Sequence, residues 1–138
     1  METIELPRKI IQIIFHQALL DTAIEVCGLI GGINNKPVSC YPIKNVAEHP
    51  DREFNMDAEA QIDAQRTMCN RNETLFAIYH SHPTTPAEPS QRDIDLSAYP
   101  EALYLIISLQ TKGVLEIRGF RIQNGQQFSE TPLLLSHS

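Results

Sequence analysis

Thr74-Leu75-Phe76-Ala77-Ile78-Tyr79-His80-Ser81-His82-Pro83 is the stretch that decides the fold. Thr74 to Tyr79 is a near-continuous apolar, β-prone run. It reads as a central strand, buried on both faces, that ends on His80. Strand side chains alternate, so His80 and His82 point the same way. Both stand where the strand gives way to a stiff loop over residues 83–90, with Pro83, Pro86 and Pro89. Loops that leave a rigid strand are common places for functional residues.

Working outward, Asp57 resembles a helix N-cap, and Ala58 to Arg71 reads as the helix that precedes this strand. Residues 47–53 form a polar loop, followed by a short extended piece at Phe54-Asn55-Met56. Val26 to Ile33 (VCGLIGGI) reads as a second buried strand. It turns at Asn34-Asn35-Lys36 into Pro37 to Val46, giving a hairpin. The glycines Gly28, Gly31 and Gly32 lead into a strand, not a helix, so close backbone packing is favoured over a phosphate loop. Residues 7–23 read as an amphipathic helix opened by Pro7, with Ile10, Ile11, Ile14, Ala18 and Leu19 at helical spacing.

Downstream, Ser90 to Ala98 reads as a short helix and Ala102 to Leu109 as a buried strand. Val114 to Gln123 pairs with that strand across Thr111-Lys112-Gly113. Beyond Asn124-Gly125 only a possible edge segment is read. The fold class is α/β: a mixed β-sheet with helices packed on it. Residues 1–138 read as one domain, the tail after about residue 124 being unassigned.

Composition narrows the function. Net charge is −6 with a sequence pI near 5.3. No basic run is present, which disfavours nucleic acid as a partner. Apolar stretches such as Leu103 to Ile107 are too short to span a bilayer. The N-terminus lacks the basic-then-apolar pattern of a signal peptide. Cys27, Cys40 and Cys69 are odd in number with no CxxC pair. Together these lead to the expectation of a cytoplasmic protein with reduced thiols and no membrane association.

The chemical signal is His80-x-His82 followed by Ser90 and Asp93. Two imidazoles and one carboxylate are a three-ligand metal set. Zinc sites with three protein ligands keep a position open for water, the catalytic arrangement. Such a site holds a net positive charge, which favours ionisation of that water. Ser90 and Asp93 also fit a helix capping box, and one helix start can serve both roles. Hydrolysis further needs a proton acceptor. Glu25, Glu48, Glu53, Glu59 and Glu88 are the candidates. Glu25, at the mouth of the strand Val26 to Ile30, is best placed to reach a neighbouring strand end. Cys27 lies two residues on and on the same face; a packing role is favoured for it over a fourth ligand.

Glu25 in EVCGLIGG, with His80-Ser81-His82-Pro83, Ser90 and Asp93, resembles the JAMM (MPN+) metalloprotease family in its small stand-alone prokaryotic form. The resemblance runs from Pro7 to about Gln123 and holds at all five positions. It implies one Zn2+ ion held by His80, His82 and Asp93. It implies Glu25 as the acid/base and Ser90 as a hydroxyl that stabilises the tetrahedral oxyanion. Asn45 and the stretch Phe54 to Asp57 also match what small prokaryotic members tend to carry. The implied architecture is similar to that of the cytidine deaminases, but the H-x-E and P-C-x-x-C of a deaminase are absent. So is the H-E-x-x-H of the zincins. The implied activity is a zinc-dependent peptidase or isopeptidase acting after the Gly-Gly tail of a ubiquitin-like protein. A sulfur-carrier protein is the natural partner, since the long insertions by which eukaryotic relatives recognise ubiquitin are missing. The alternative is a non-catalytic MPN-type binding scaffold, whose members typically lack the metal ligands.

Overall fold

A computed structural model describes residues 2–123 and 127–136. The chain forms β1 (Ile4–Leu6), α1 (Arg8–Leu20), β2 (Cys27–Ile33), β3 (Lys36–Ile43), α2 (Ala58–Asn70) and β4 (Thr74–His82). It continues through α3 (Gln91–Asp95), β5 (Leu103–Ser108), β6 (Glu116–Gln123), β7 (Gln127–Thr131) and β8 (Leu133–Leu135). Six strands make one sheet in the order β3-β2-β4-β5-β6-β7. Neighbours are antiparallel except β4 and β5, which run parallel. The mixed α/β sheet expected from the sequence is the observed architecture.

The two helices longer than a turn cover opposite faces, as strand alternation requires. Ile10, Ile11, Ile14 and Ala18 of α1 pack with Ala77 and Tyr79 of β4. Ala64 and Met68 of α2 pack with Ile78 of the same strand. Burying each such Ile or Leu stabilises the fold by about 1.5–3 kcal/mol. The strands β2 and β3 join through Asn34 and Asn35, both at positive φ, the backbone of a two-residue hairpin turn. At Gly28 an added Cβ would overlap the Tyr79 ring. Close packing thus accounts for this glycine.

Several boundaries differ from the sequence reading. Pro7 is the N-cap of α1, in extended conformation, and the helix ends at Leu20, not residue 23. The central strand does not stop at His80 but continues to His82, because β5 pairs with it through His82↔Ser108. The helix read over Ser90–Ala98 is a single turn, capped by Ser90 and ended at Asp95. The strand read from Val114 begins at Glu116. The strand β1 was not read at all; it pairs in parallel with β8 from the far end of the chain. The Asn124-Gly125 turn lies outside the described residues. No helix among the described residues is long and apolar enough to cross a membrane.

Candidate metal centre

The histidines are the first and third of the last three positions of β4, between β2 and β5: Cys27 and Ile106 flank His80. Both are almost fully buried. Ser81 between them faces the other side of the sheet. Its hydroxyl accepts from the Val26 N–H at 2.9 Å and donates to the Ile24 carbonyl at 3.4 Å. Its own N–H donates to the Val26 carbonyl at 2.9 Å. These bonds tie the end of β4 to the segment that carries Glu25.

Asp93 arrives on α3 through a complete capping box. The Ser90 hydroxyl accepts from the Asp93 N–H at 3.0 Å, and the Ser90 N–H donates to Asp93 Oδ2 at 2.9 Å. The capping reading of this pair holds, and the cap is what aims the carboxylate at the two imidazoles. Asp93 Oδ2, His80 Nε2 and His82 Nε2 form a triangle with every side 3.1 Å. A tetrahedral zinc with bonds of about 2.0–2.1 Å sets its ligand atoms about 3.3 Å apart. Glu25 joins them, its carboxylate and the other three donor atoms all lying within 4.8 Å of one another.

The hydrogen bonding at His82 tests whether these residues suit a cation. Its Nδ1 lies 2.7 Å from the Pro86 carbonyl, which only accepts, so Nδ1 carries a proton. In the neutral ring Nε2 is then a bare lone pair, facing a carboxylate oxygen and a second imidazole. That contact is repulsive unless a proton or a metal ion lies within it. The donor set fits a divalent ion, which would take the place of the proton. Glu25 Oε1 is buried and has no hydrogen-bond partner among the described residues, nor has His80 Nδ1.

The electrostatics follow from burial. Burial pushes the Glu25 carboxyl up to about 7; the nearby His82 charge opposes this and Asp93 reinforces it. Burial also lowers His80, against the attraction of Asp93. At His82 burial acts downward, but hydrogen bonds to Asp93 and the Pro86 carbonyl outweigh it and raise the imidazole. At Asp93 burial acts upward, yet the charge of His80 and hydrogen bonds from both imidazoles and Ser90 hold it well below the usual carboxylate range.

Of the glutamates considered as bases, Glu25 is the one in the cluster. Glu53 instead pairs with Arg92 at 3.3 Å across the site's rim, and Glu88 pairs with Arg118. Cys27 takes the packing role: it is fully buried, and its thiol donates to the Ile43 carbonyl at 3.4 Å. Four supporting groups have no assigned role in the sequence reading. Ser81 lies inside the motif, and its small hydroxyl on the buried side was the available signal. The Pro86 carbonyl orients His82. Asn45 ties Glu25 to the 47–57 loop, and Phe54 in that loop stacks on His80 with ring centroids 4.5 Å apart.

Residues 7–123 match the family model of prokaryotic homologs of the JAB domain. The chain is 33% identical over 103 residues to the CysO-cysteine peptidase of Mycobacterium tuberculosis, spanning 73% of this chain and 70% of that protein. It is 29% identical over 90 residues to the desampylase of Haloferax volcanii, spanning 64% of this chain and 65% of that one. The solution structure of a protein from Desulfitobacterium hafniense superposes with a TM-score of 0.85 at 30% identity, over 98% of this chain and 94% of that one. The chain belongs to the prokaryotic JAB-domain family and is a peptidase of the JAMM type.

Proposed function

We propose that this chain is a cytoplasmic zinc peptidase that hydrolyses the amide or isopeptide bond after the Gly-Gly tail of a ubiquitin-like protein, a sulfur carrier in particular. One observation carries the metal assignment: three acceptor atoms 3.1 Å apart, one of them a His82 lone pair fixed by the Pro86 carbonyl. The names of the relatives, a CysO-cysteine peptidase and a desampylase, support a small protein's conjugate as substrate.

His80, His82 and Asp93 would hold the ion. Zinc bound there would polarise the scissile carbonyl and acidify the attacking water. Glu25 takes the water proton and returns it to the departing amine. A carboxyl near pKa 7 does both at neutral pH. Ser90 spends a lone pair on the Asp93 N–H, which leaves its O–H free to donate to the developing oxyanion.

The test is incubation of the zinc-loaded protein with ubiquitin-like sulfur carriers extended past Gly-Gly, followed by intact mass measurement. The expected product ends at Gly-Gly. Failure to cut any such tail removes the substrate assignment and leaves the metal assignment to be judged by zinc content.

A further inference from the structure

Ser108 closes β5 directly opposite His82. Partners across a ladder share a face, so its side chain lies on the side of the sheet that carries the donor cluster. It is buried. Its hydroxyl accepts from the Gln110 N–H at 3.1 Å and donates to the Thr85 carbonyl at 2.7 Å. The Gln110 N–H can only donate and the Thr85 carbonyl only accept, so the direction of the hydroxyl proton is settled. One serine thereby joins the end of β5 to the loop over residues 83–90.

The next carbonyl of that loop, Pro86, is the one that lies 2.7 Å from His82 Nδ1. It also accepts from the Glu88 N–H at 2.8 Å, so both its lone pairs are used. The proline ring fixes φ at residue 86 and leaves ψ free, so the ring alone does not aim this carbonyl. The peptide groups on either side must be held. Downstream, Ala87 is fully buried with Ile106 and Phe120, and Glu88 pairs with Arg118 at 3.3 Å. Upstream, the bond from Ser108 holds the peptide group between Thr85 and Pro86.

We propose that Ser108 is a positioning residue for the metal centre: by holding the Thr85 carbonyl it keeps the Pro86 carbonyl on His82 Nδ1, and so keeps the bare Nε2 turned to His80 and Asp93. The proposal rests on the metal reading above and adds a side chain that acts on the site through two backbone groups. Without the bond, rotation at Pro86 would withdraw the acceptor. The His82 ring would then be free to turn, or to carry its proton on Nε2, the atom that must be bare to bind a cation. Partners that orient a ligand histidine are commonly worth 10–100-fold in metal affinity. Ser108 stands one bond further out, so the lower end of that range is expected.

Zinc affinity is measured by chelator competition in the parent and in Ser108→Ala. Exchange of the two imidazole Nδ1 protons with water is followed by NMR in the zinc-loaded proteins. Ser108→Ala should weaken zinc about tenfold and speed exchange of the His82 proton at least about tenfold. The His80 proton, on a nitrogen with no hydrogen-bond partner among the described residues, should exchange as in the parent. Unchanged affinity, an unchanged His82 proton, or both protons speeding up together overturns the proposal. A hydroxyl that served only the stability of the sheet would give one of those results. If Ser108→Ala does not fold, Ser108→Cys, with a small side chain and a weak donor, is judged by the same outcomes. If the parent takes up no zinc, the metal reading fails, and the His82 proton is compared in the metal-free parent and variant. Faster exchange in the variant upholds the role of Ser108 in placing His82; equal exchange overturns it.

Discussion

The side-chain amide of Asn45 donates to the main-chain carbonyl of Glu25 at 2.8 Å, so the proposed base is held by a residue from a different loop. The same amide donates to the Glu53 carbonyl at 2.9 Å, while its oxygen accepts from the N–H groups of Ala47 and Asn55. Asn45→Ala removes all four bonds. It should lower stability by about 1–3 kcal/mol and kcat by about 10–100-fold through misplacement of Glu25, with zinc still bound. Denaturant unfolding, kinetics and metal content on one preparation check this.

Glu25→Gln should separate chemistry from stability. Loss of the base should lower kcat by at least about a hundredfold with one zinc retained. In metal-free protein the same change should stabilise at alkaline pH. The Glu25 carboxyl is raised from 4.5 to about 7 on folding. Its favourable contribution is complete below pH 4.5 and is lost as pH rises through 7. The variant should therefore match the parent at pH 4 and exceed it by about 1–3 kcal/mol at pH 8. Equal urea midpoints at pH 8 would contradict this.

The observed cap at Ser90 and its proposed role as hydroxyl donor can be pulled apart. Ser90→Ala loses the cap, about 1 kcal/mol, and the hydroxyl donor, about 10²–10³ in kcat. Ser90→Asp restores a capping oxygen without the donor. It should recover thermal stability and leave kcat low; recovered activity would show that Ser90 acts only as a cap.

Zinc should be stoichiometric in the parent and absent from His80→Ala and Asp93→Ala. Chelation should lower the melting temperature yet leave the far-ultraviolet circular dichroism intact, because none of the three apolar clusters contains a proposed ligand. A chelated protein without sheet signal would make the ion structural.

The thiols should separate by reactivity. Cys69 is exposed, whereas burial pushes Cys27 up to about 12, reinforced by Glu25, and Cys40 up to about 11. Iodoacetamide on the native protein should alkylate Cys69 first. Mapping that finds Cys27 labelled at a comparable rate would contradict its burial.

Much of the sheet is legible because β2, β4 and β5 are buried on both faces and so read as apolar runs. His80, His82, Ser90 and Asp93 are legible because they lie close along the chain. Glu25 stands 55 positions before His80, and in the sequence only its place at a strand mouth and the resemblance link them; the contact itself is made by strand pairing. The parallel pair β1 and β8 is silent in the sequence, being three residues each from opposite ends of the chain. The end of β4 was read short because a histidine pair before a proline looks like a loop, while the backbone there is held by β5. Asn45 is hardest to read, since a loop residue that bonds four backbone groups leaves no periodic signal.

Ser81 sits on the far face of the sheet from the donor cluster, sealed against Val26 and out of reach of substrate. It nevertheless sets the alignment between the strand with the two imidazoles and the segment with Glu25. The distance from the proposed base to the two imidazoles is thus governed from the dry side of the molecule. An inhibitor that wedged between Ser81 and Val26 would disarm the enzyme without touching its mouth, the donor cluster or the proposed base.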